Sequence, residues 1–145
     1  QCREIPTILR YSSHVENGSL YNTPPVFSIY ATMLTLRELK KQGGVAAAKK
    51  RNEEKAKYVY DVLDSSKFYT SPVEKESRSL MNIVFTLPSE EFTERFLAGA
   101  KERGMMGLKG HRSVGGIRAS VYNAFPTEGA KALAQFMKDF ERTAS

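Results

Sequence analysis

The sequence is short of cysteine, of histidine and of long apolar runs, and each shortage closes off a class of protein. Its one cysteine, Cys2, excludes an internal disulfide and fits a reducing compartment. The two histidines, His14 and His111, stand far apart beside that single thiol, which argues against a zinc site. No apolar run is long enough to cross a bilayer. Internal repeats and low-complexity linkers are absent as well. The opening residues Gln1-Cys2-Arg3-Glu4 are polar. They carry neither a signal-peptide pattern nor an initiator methionine, so the chain is expected to begin inside a longer one.

What is present is an ordinary globular mixture. The 145 residues suit one domain with a modest core, or a piece of something larger. The formal net charge of +6 allows nucleic acid, anionic lipid or small acidic metabolites as partners. The densest basic run, Lys49-Lys50-Arg51, is followed at once by Glu53, Glu54, Lys55 and Lys57. On a helix that mixture reads as a solvated face with acid–base pairs about a turn apart, ahead of a nucleic-acid patch or an import signal.

Periodicity places the elements. Residues 1–21 read as irregular, with turn chemistry at Glu16-Asn17-Gly18-Ser19. Thr23-Pro24-Pro25 opens a helix, with Thr23 as the cap and proline tolerated in the first turn. From Val26 to Lys41 apolar residues crowd several faces, so this helix is expected to be buried on more than one side. Gly43-Gly44 ends it. A second helix is expected over about 45–63, with Ala48, Ala56, Val59, Tyr60 and Leu63 at helical spacing. The double glycine marks a boundary between an arm (1–43) and a compact domain (44–145).

Within the domain, Phe68-Tyr69-Thr70 has the look of a short strand, and Met81–Leu87 alternates as a strand should. Pro88-Ser89-Glu90-Glu91 starts a helix with the stripe Phe92, Phe96, Leu97 and Ala100, stopped by Gly104. Met105–Lys109 is a short extended piece, and Ile117–Tyr122 a further strand. A last helix, capped by Thr127, carries Ala130, Leu133, Ala134, Met137 and Phe140. The order describes an α+β fold: helices on one face of a mostly antiparallel sheet, preceded by a long connecting helix.

In "GHRSVGGIRAS", Gly110–Ser120, the chemistry is concentrated. Ile117, Ala119 and Val121 face the core, so Arg118, Ser120 and Tyr122 share the open face. His111 and Arg112 lie in the loop that feeds this strand. Gly115 and Gly116 leave the backbone bare enough for a ligand or another chain to approach. A substrate with an anion at each end could bridge the two cationic points, because guanidinium forks suit carboxylate and phosphate. An isolated strand arginine is more often a surface or ion-pair residue; the adjacent glycines bring the functional reading to even terms with that.

The strings "SLYNTPPVFSIY", "GGVAAAKKRNEEKAKYVYDVLD", "RSLMNIVFTL" and "LKGHRSVGGIRASVYNA" resemble, in order, the C-terminal part of the phosphoserine aminotransferase family. The resemblance implies the small C-terminal domain of a fold-type I pyridoxal phosphate enzyme of class V, with 1–43 as an interface arm and the tail of a large cofactor domain. It implies a cytoplasmic homodimer that moves an amino group between glutamate and phosphohydroxypyruvate, giving phosphoserine and 2-oxoglutarate in serine biosynthesis, and in some bacteria serving pyridoxine synthesis. Carried across, His111 and Arg112 contact the substrate phosphate or the side-chain carboxylate of glutamate. Arg118 holds the α-carboxylate. Asn22 and Thr23 reach the cofactor phosphate of the other subunit. The family's Schiff-base lysine has no counterpart here, so this chain is expected to supply no catalytic residue, to bind pyridoxal 5′-phosphate weakly, and to be inactive alone.

A reading from another class remains open: a small basic α+β module that binds nucleic acid through its open sheet face, with Tyr122 stacking and Arg118 on phosphate. A third is an assembly domain with an idle site. The resemblance favours small-molecule substrates, with no nucleic acid and no membrane.

Overall fold

The structure, a computed structural model, describes residues 4–144; Cys2 lies outside them. The chain forms two compact units, Gln1–Gln42 and Gly43–Ser145.

Unit 1 holds a short helix α1 (Tyr11–Glu16) and the longer α2 (Val26–Lys41). Proline governs the entry to α2. Each residue before a proline is pushed out of the helical region, so Thr23 and Pro24 cannot begin the helix. The N-cap is Pro25, with no side-chain cap hydrogen bond, and the Pro25 carbonyl takes the Ile29 amide at 3.1 Å. The expected Thr23 cap is therefore not formed. No residue of α2 is buried, and Phe27, Ile29 and Tyr30 are all more than half exposed. The crowding of apolar residues is real, but the expected burial on more than one side is not found among the described residues.

Unit 2 begins at Gly43, whose φ of 94° requires glycine before α3 (Gly44–Ser65). There follow β1 (Asn82–Phe85), α4 (Glu90–Glu102), β2 (Ile117–Ser120) and α5 (Thr127–Ala144). Ser89 caps α4 by accepting the Phe92 amide at 3.3 Å, two glutamates sit in its first turn, and Gly104 at φ 76° closes it. Met105 N–H then returns to the Ala100 carbonyl at 2.9 Å.

The sheet is smaller than the alternation implied. β1 and β2 pair antiparallel, with Ile83 opposite Ala119, Val84 opposite Arg118 and Phe85 opposite Ile117. Single bridges, Thr70 to Thr86 and Lys109 to Ile117, extend it on both sides. The unit is thus mostly helical, with α3 and α5 packed together against the inner face of a two-stranded ribbon. Ile83, Phe85, Ile117, Ala119 and Val121 are all buried there. Around them an aromatic cluster forms from Phe68, Tyr69, Phe85, Phe96, Phe136 and Phe140, with neighbouring ring centres 4.8 to 6.2 Å apart. These rings pack with Val59, Val62, Leu63, Ile83, Leu133 and Met137 into one core. Tyr69, within it, donates its hydroxyl to the Met137 carbonyl at 2.8 Å, and burial pushes its phenol well above the ordinary value.

Candidate functional site

The open face of the ribbon is built by the strand period. With Ile117 and Ala119 committed to the core, Arg118 and Ser120 must face outward. Their partners across the register, Val84 and Asn82, face the same way. Ser120 Oγ donates to Asn82 Oδ1 at 3.0 Å. Tyr122 lies beside this pair, and hydrogen bonds from Asn82, then Ser120, and the nearby Arg118 charge hold its phenol below the ordinary tyrosine value. Arg118 is exposed, and its guanidinium makes no ion pair or hydrogen bond among the described residues.

The loop ahead of β2 is a tight closure. Gly110 N–H donates to the Gly116 carbonyl at 2.8 Å, and the amides of Val114 and Gly115 both turn back to the His111 carbonyl. Below it, Arg118 N–H donates to the Leu108 carbonyl at 2.8 Å, so β2 is held on both edges. A Cβ on Gly110 would overlap the Gly115 carbonyl, and one on Gly116, already at φ 64°, would come within 2.7 Å of the Phe85 carbonyl. The glycines therefore serve the chain's own close approach. Of Gly115 and Gly116, expected to leave the backbone open to a ligand or another chain, only Gly115 borders open space; Gly116 is closed by β1.

On this loop His111 and Arg112 are both exposed. His111 Nδ1 accepts from the Ser113 amide at 3.3 Å and lies 2.7 Å from Ser113 Oγ. With Nδ1 accepting from the Ser113 amide, Nε2 is the donor nitrogen of the neutral ring. Arg112, like Arg118, makes no ion pair or hydrogen bond among the described residues. His111 brings the pieces together: it lines one cavity of about 300 Å³ with Arg112, Lys109 and Thr93, and another of about 80 Å³ with Arg118 and Val84. Glu90 and Glu94 also border the larger cavity, which sets a negative rim opposite the cations.

Asn22 and Thr23 belong to unit 1. Both are exposed, and Asn22 Nδ2 donates to the Thr23 carbonyl at 3.2 Å. The Thr23 hydroxyl has no partner among the described residues and stands just ahead of the α2 N-terminus, where a phosphate would find a favourable field.

One residue at the ribbon's end went unread in the sequence. Lys55 on α3 is 1% exposed, and its ammonium donates to the carbonyls of Tyr122 at 2.6 Å and Phe125 at 3.1 Å. Burial first, then the Arg51 charge, lower its pKa. The solvated-face reading of this stretch holds for Lys49 with Glu53 and for Lys57 with Asp61, but not for Lys55. The signal was its place on the spacing Ala48, Asn52, Lys55, Val59, Val62, which is the buried stripe of α3.

Comparison with known proteins shows the family. The chain belongs to the aminotransferase class-V family, whose pattern matches residues 3–133. It is 58% identical over 139 residues to the phosphoserine aminotransferase of Bacillus cereus, covering 96% of this chain and 39% of that protein. Among solved structures, that of phosphoserine aminotransferase from Bacillus circulans subsp. alkalophilus superposes with a TM-score of 0.89 at 48% identity, over 97% of this chain and 39% of the other. The pyridoxal phosphate-bound phosphoserine aminotransferase of Trichomonas vaginalis matches at 0.82 and 39% identity, over 94% of this chain and 39% of that one. The chain thus spans about two fifths of the length of the relatives it matches. Among the described residues no cluster suits a metal ion, and no helix is long and apolar enough to cross a membrane.

Proposed function

We propose that this chain is the small C-terminal domain and connecting arm of a phosphoserine aminotransferase, with the arm at 1–43 and the domain at 44–145. The whole protein transfers an amino group between glutamate and phosphohydroxypyruvate, giving phosphoserine and 2-oxoglutarate. This portion binds and orients the substrate. Arg118 takes the α-carboxylate through its fork, and His111 with Arg112 takes the distal phosphate or carboxylate. The observation that carries the reading is the pair of unengaged guanidinium groups, Arg112 and Arg118, on either side of His111. Two anion sites of this kind fit substrates that carry an acid at each end.

Pyridoxal phosphate is the cofactor of this proposal, and when bound it supplies the electron sink for breaking the Cα–H bond. The residues present fit one part of it: the unpartnered Thr23 hydroxyl and the Asn22 amide are side-chain donors ahead of a helix N-terminus. They would hold the cofactor phosphate, in a site shared across a homodimer. Lys55 is buried against two carbonyls and cannot serve as the Schiff-base lysine. The chain alone is therefore expected to be inactive, and the active protein to be a cytoplasmic enzyme. The nucleic-acid reading draws no support from the relatives, and among the described residues Tyr122 is the one aromatic residue tied to the outward side chains of the ribbon.

The test is Arg118→Leu in the full-length protein. It is expected to lower kcat/KM about 100-fold or more toward both phosphoserine and glutamate, since a charge-assisted pair to the common carboxylate is lost. Unchanged kcat/KM for either donor would refute the assignment.

A further inference from the structure

We infer that Lys55 is a positioning residue for the substrate face: its buried ammonium pins the turn Tyr122–Phe125 and so fixes the segment just beyond β2, where Tyr122 stands beside the face that carries Arg118. The inference rests on the reading of that face as the anion site.

The turn needs an external anchor. β2 ends at Ser120, and Val121 makes the last ladder contact, its amide donating to the Met81 carbonyl at 2.8 Å. Beyond it the chain turns sharply, with Phe125 N–H returning to the Tyr122 carbonyl at 2.9 Å before α5 begins at Thr127. Tyr122, Asn123, Ala124 and Phe125 are all exposed, and of these the Phe125 ring lies against Gly129 of α5. The polar anchor comes from one face of α3. Lys55 Nζ reaches the carbonyls at both ends of the turn. Asn52, a helical turn earlier and 4% exposed, donates Nδ2 to Asn123 Oδ1 at 2.7 Å.

The charge makes this anchor sharp. A buried ammonium with only neutral carbonyl partners is tolerated while those partners stay in place, and loses its compensation if either moves. The turn is thereby restricted to the geometry in which both carbonyls converge on Nζ. That geometry puts the Tyr122 phenol against Asn82 and Ser120, in the field of Arg118. A lysine merely filling the core would run its stem inward and its ammonium out to water. Here the ammonium end is buried with the rest.

The experiment uses the full-length holoenzyme. Lys55→Met keeps the stem volume and removes the donor. It is expected to raise KM for both phosphoserine and glutamate about tenfold with kcat changed less than about twofold, because it loosens binding geometry without touching the reacting atoms. Independently of activity, amide exchange at Phe125 should accelerate about tenfold while the β1–β2 amides stay protected. Unaltered KM with a lowered Tm would reduce Lys55 to a packing residue and overturn the inference. So would a fall in kcat at constant KM. Should Lys55→Met fail to fold, Asn52→Ala carries the decision: a KM increase of about threefold with faster Phe125 exchange supports the pin, and faster exchange with unchanged KM overturns it. If Arg118→Leu is itself without effect, the anion-site reading fails; if Arg118→Leu is damaging and Lys55→Met is silent, only the pin fails.

Discussion

His111 Nδ1 and Ser113 Oγ lie 2.7 Å apart, and the Ser113 amide also donates to that nitrogen. The ring is therefore held by its inner nitrogen, and Nε2 has no partner among the described residues. The Ser113 hydroxyl and amide together fix the ring on its loop. Ser113→Ala removes the hydroxyl and leaves the backbone donor. In the full-length enzyme we expect kcat/KM for phosphoserine to fall about three- to tenfold, the worth of one hydrogen bond, and that for glutamate to fall less. Steady-state kinetics with both donors checks it.

Direct removal of the distal contacts should separate the substrates further. Phosphate carries more charge than carboxylate and, under the proposed assignment, would gain more from the His111–Arg112 pair. His111→Ala and Arg112→Ala are each expected to cost about 2 kcal/mol in transition-state binding for phosphoserine, and about half that for glutamate. Equal losses would mean that these side chains do not read the distal group.

Much of this site was legible because a strand has a period of two. Once Ile117, Ala119 and Val121 are assigned to the core, Arg118 has only the open face left, and that is where it lies. The inward stripe of α5 was equally plain at Ala130, Leu133 and Ala134, though Phe136, also buried, was passed over. What local pattern could not give was any interaction closed over a long stretch of chain. Lys55 looked solvated because its neighbours are charged, and its carbonyl partners stand some 70 residues away. The same limit applies to Gly110 and Gly116, whose reason for being glycine is a contact with Gly115 and with β1. Thr23 failed as a cap for a local reason: the prolines after it hold the backbone extended.

The glycine closure yields a graded prediction. Gly115 is at φ 74° but borders open space, so Gly115→Ala should cost about 1 kcal/mol for the backbone conformation alone. Gly110→Ala and Gly116→Ala add overlap with main-chain carbonyls that cannot step aside. They should cost about 3 kcal/mol and displace the loop that carries His111 and Arg112. Urea unfolding of the three variants should rank them in that order. A Gly115 variant as damaging as the others would contradict the geometry.

Stability should also depend on acid through Asp64. Arg78 holds it with a fork, Nη1 to Oδ2 at 3.0 Å and Nη2 to Oδ1 at 2.8 Å, and stacks on Tyr60 at 4.6 Å, while Lys75 stands 3.3 Å away. The hydrogen bonds from Arg78, more than Lys75, hold the Asp64 carboxyl below its ordinary value. A depressed carboxyl stabilises the fold fully above its unfolded pKa of about 3.9, and that contribution drains away as the pH falls through the folded value. The Asp64 side chain is 36% exposed, so solvent screening limits the pair to about 1 kcal/mol. Asp64→Asn should therefore lower the unfolding free energy by about that much near neutral pH, and the difference should shrink as the pH falls below about 3.9 and through the lowered folded value. Urea titrations of both proteins across that range would show the two curves converging on the acid side; curves that stay parallel would mean that the fork contributes packing and not charge.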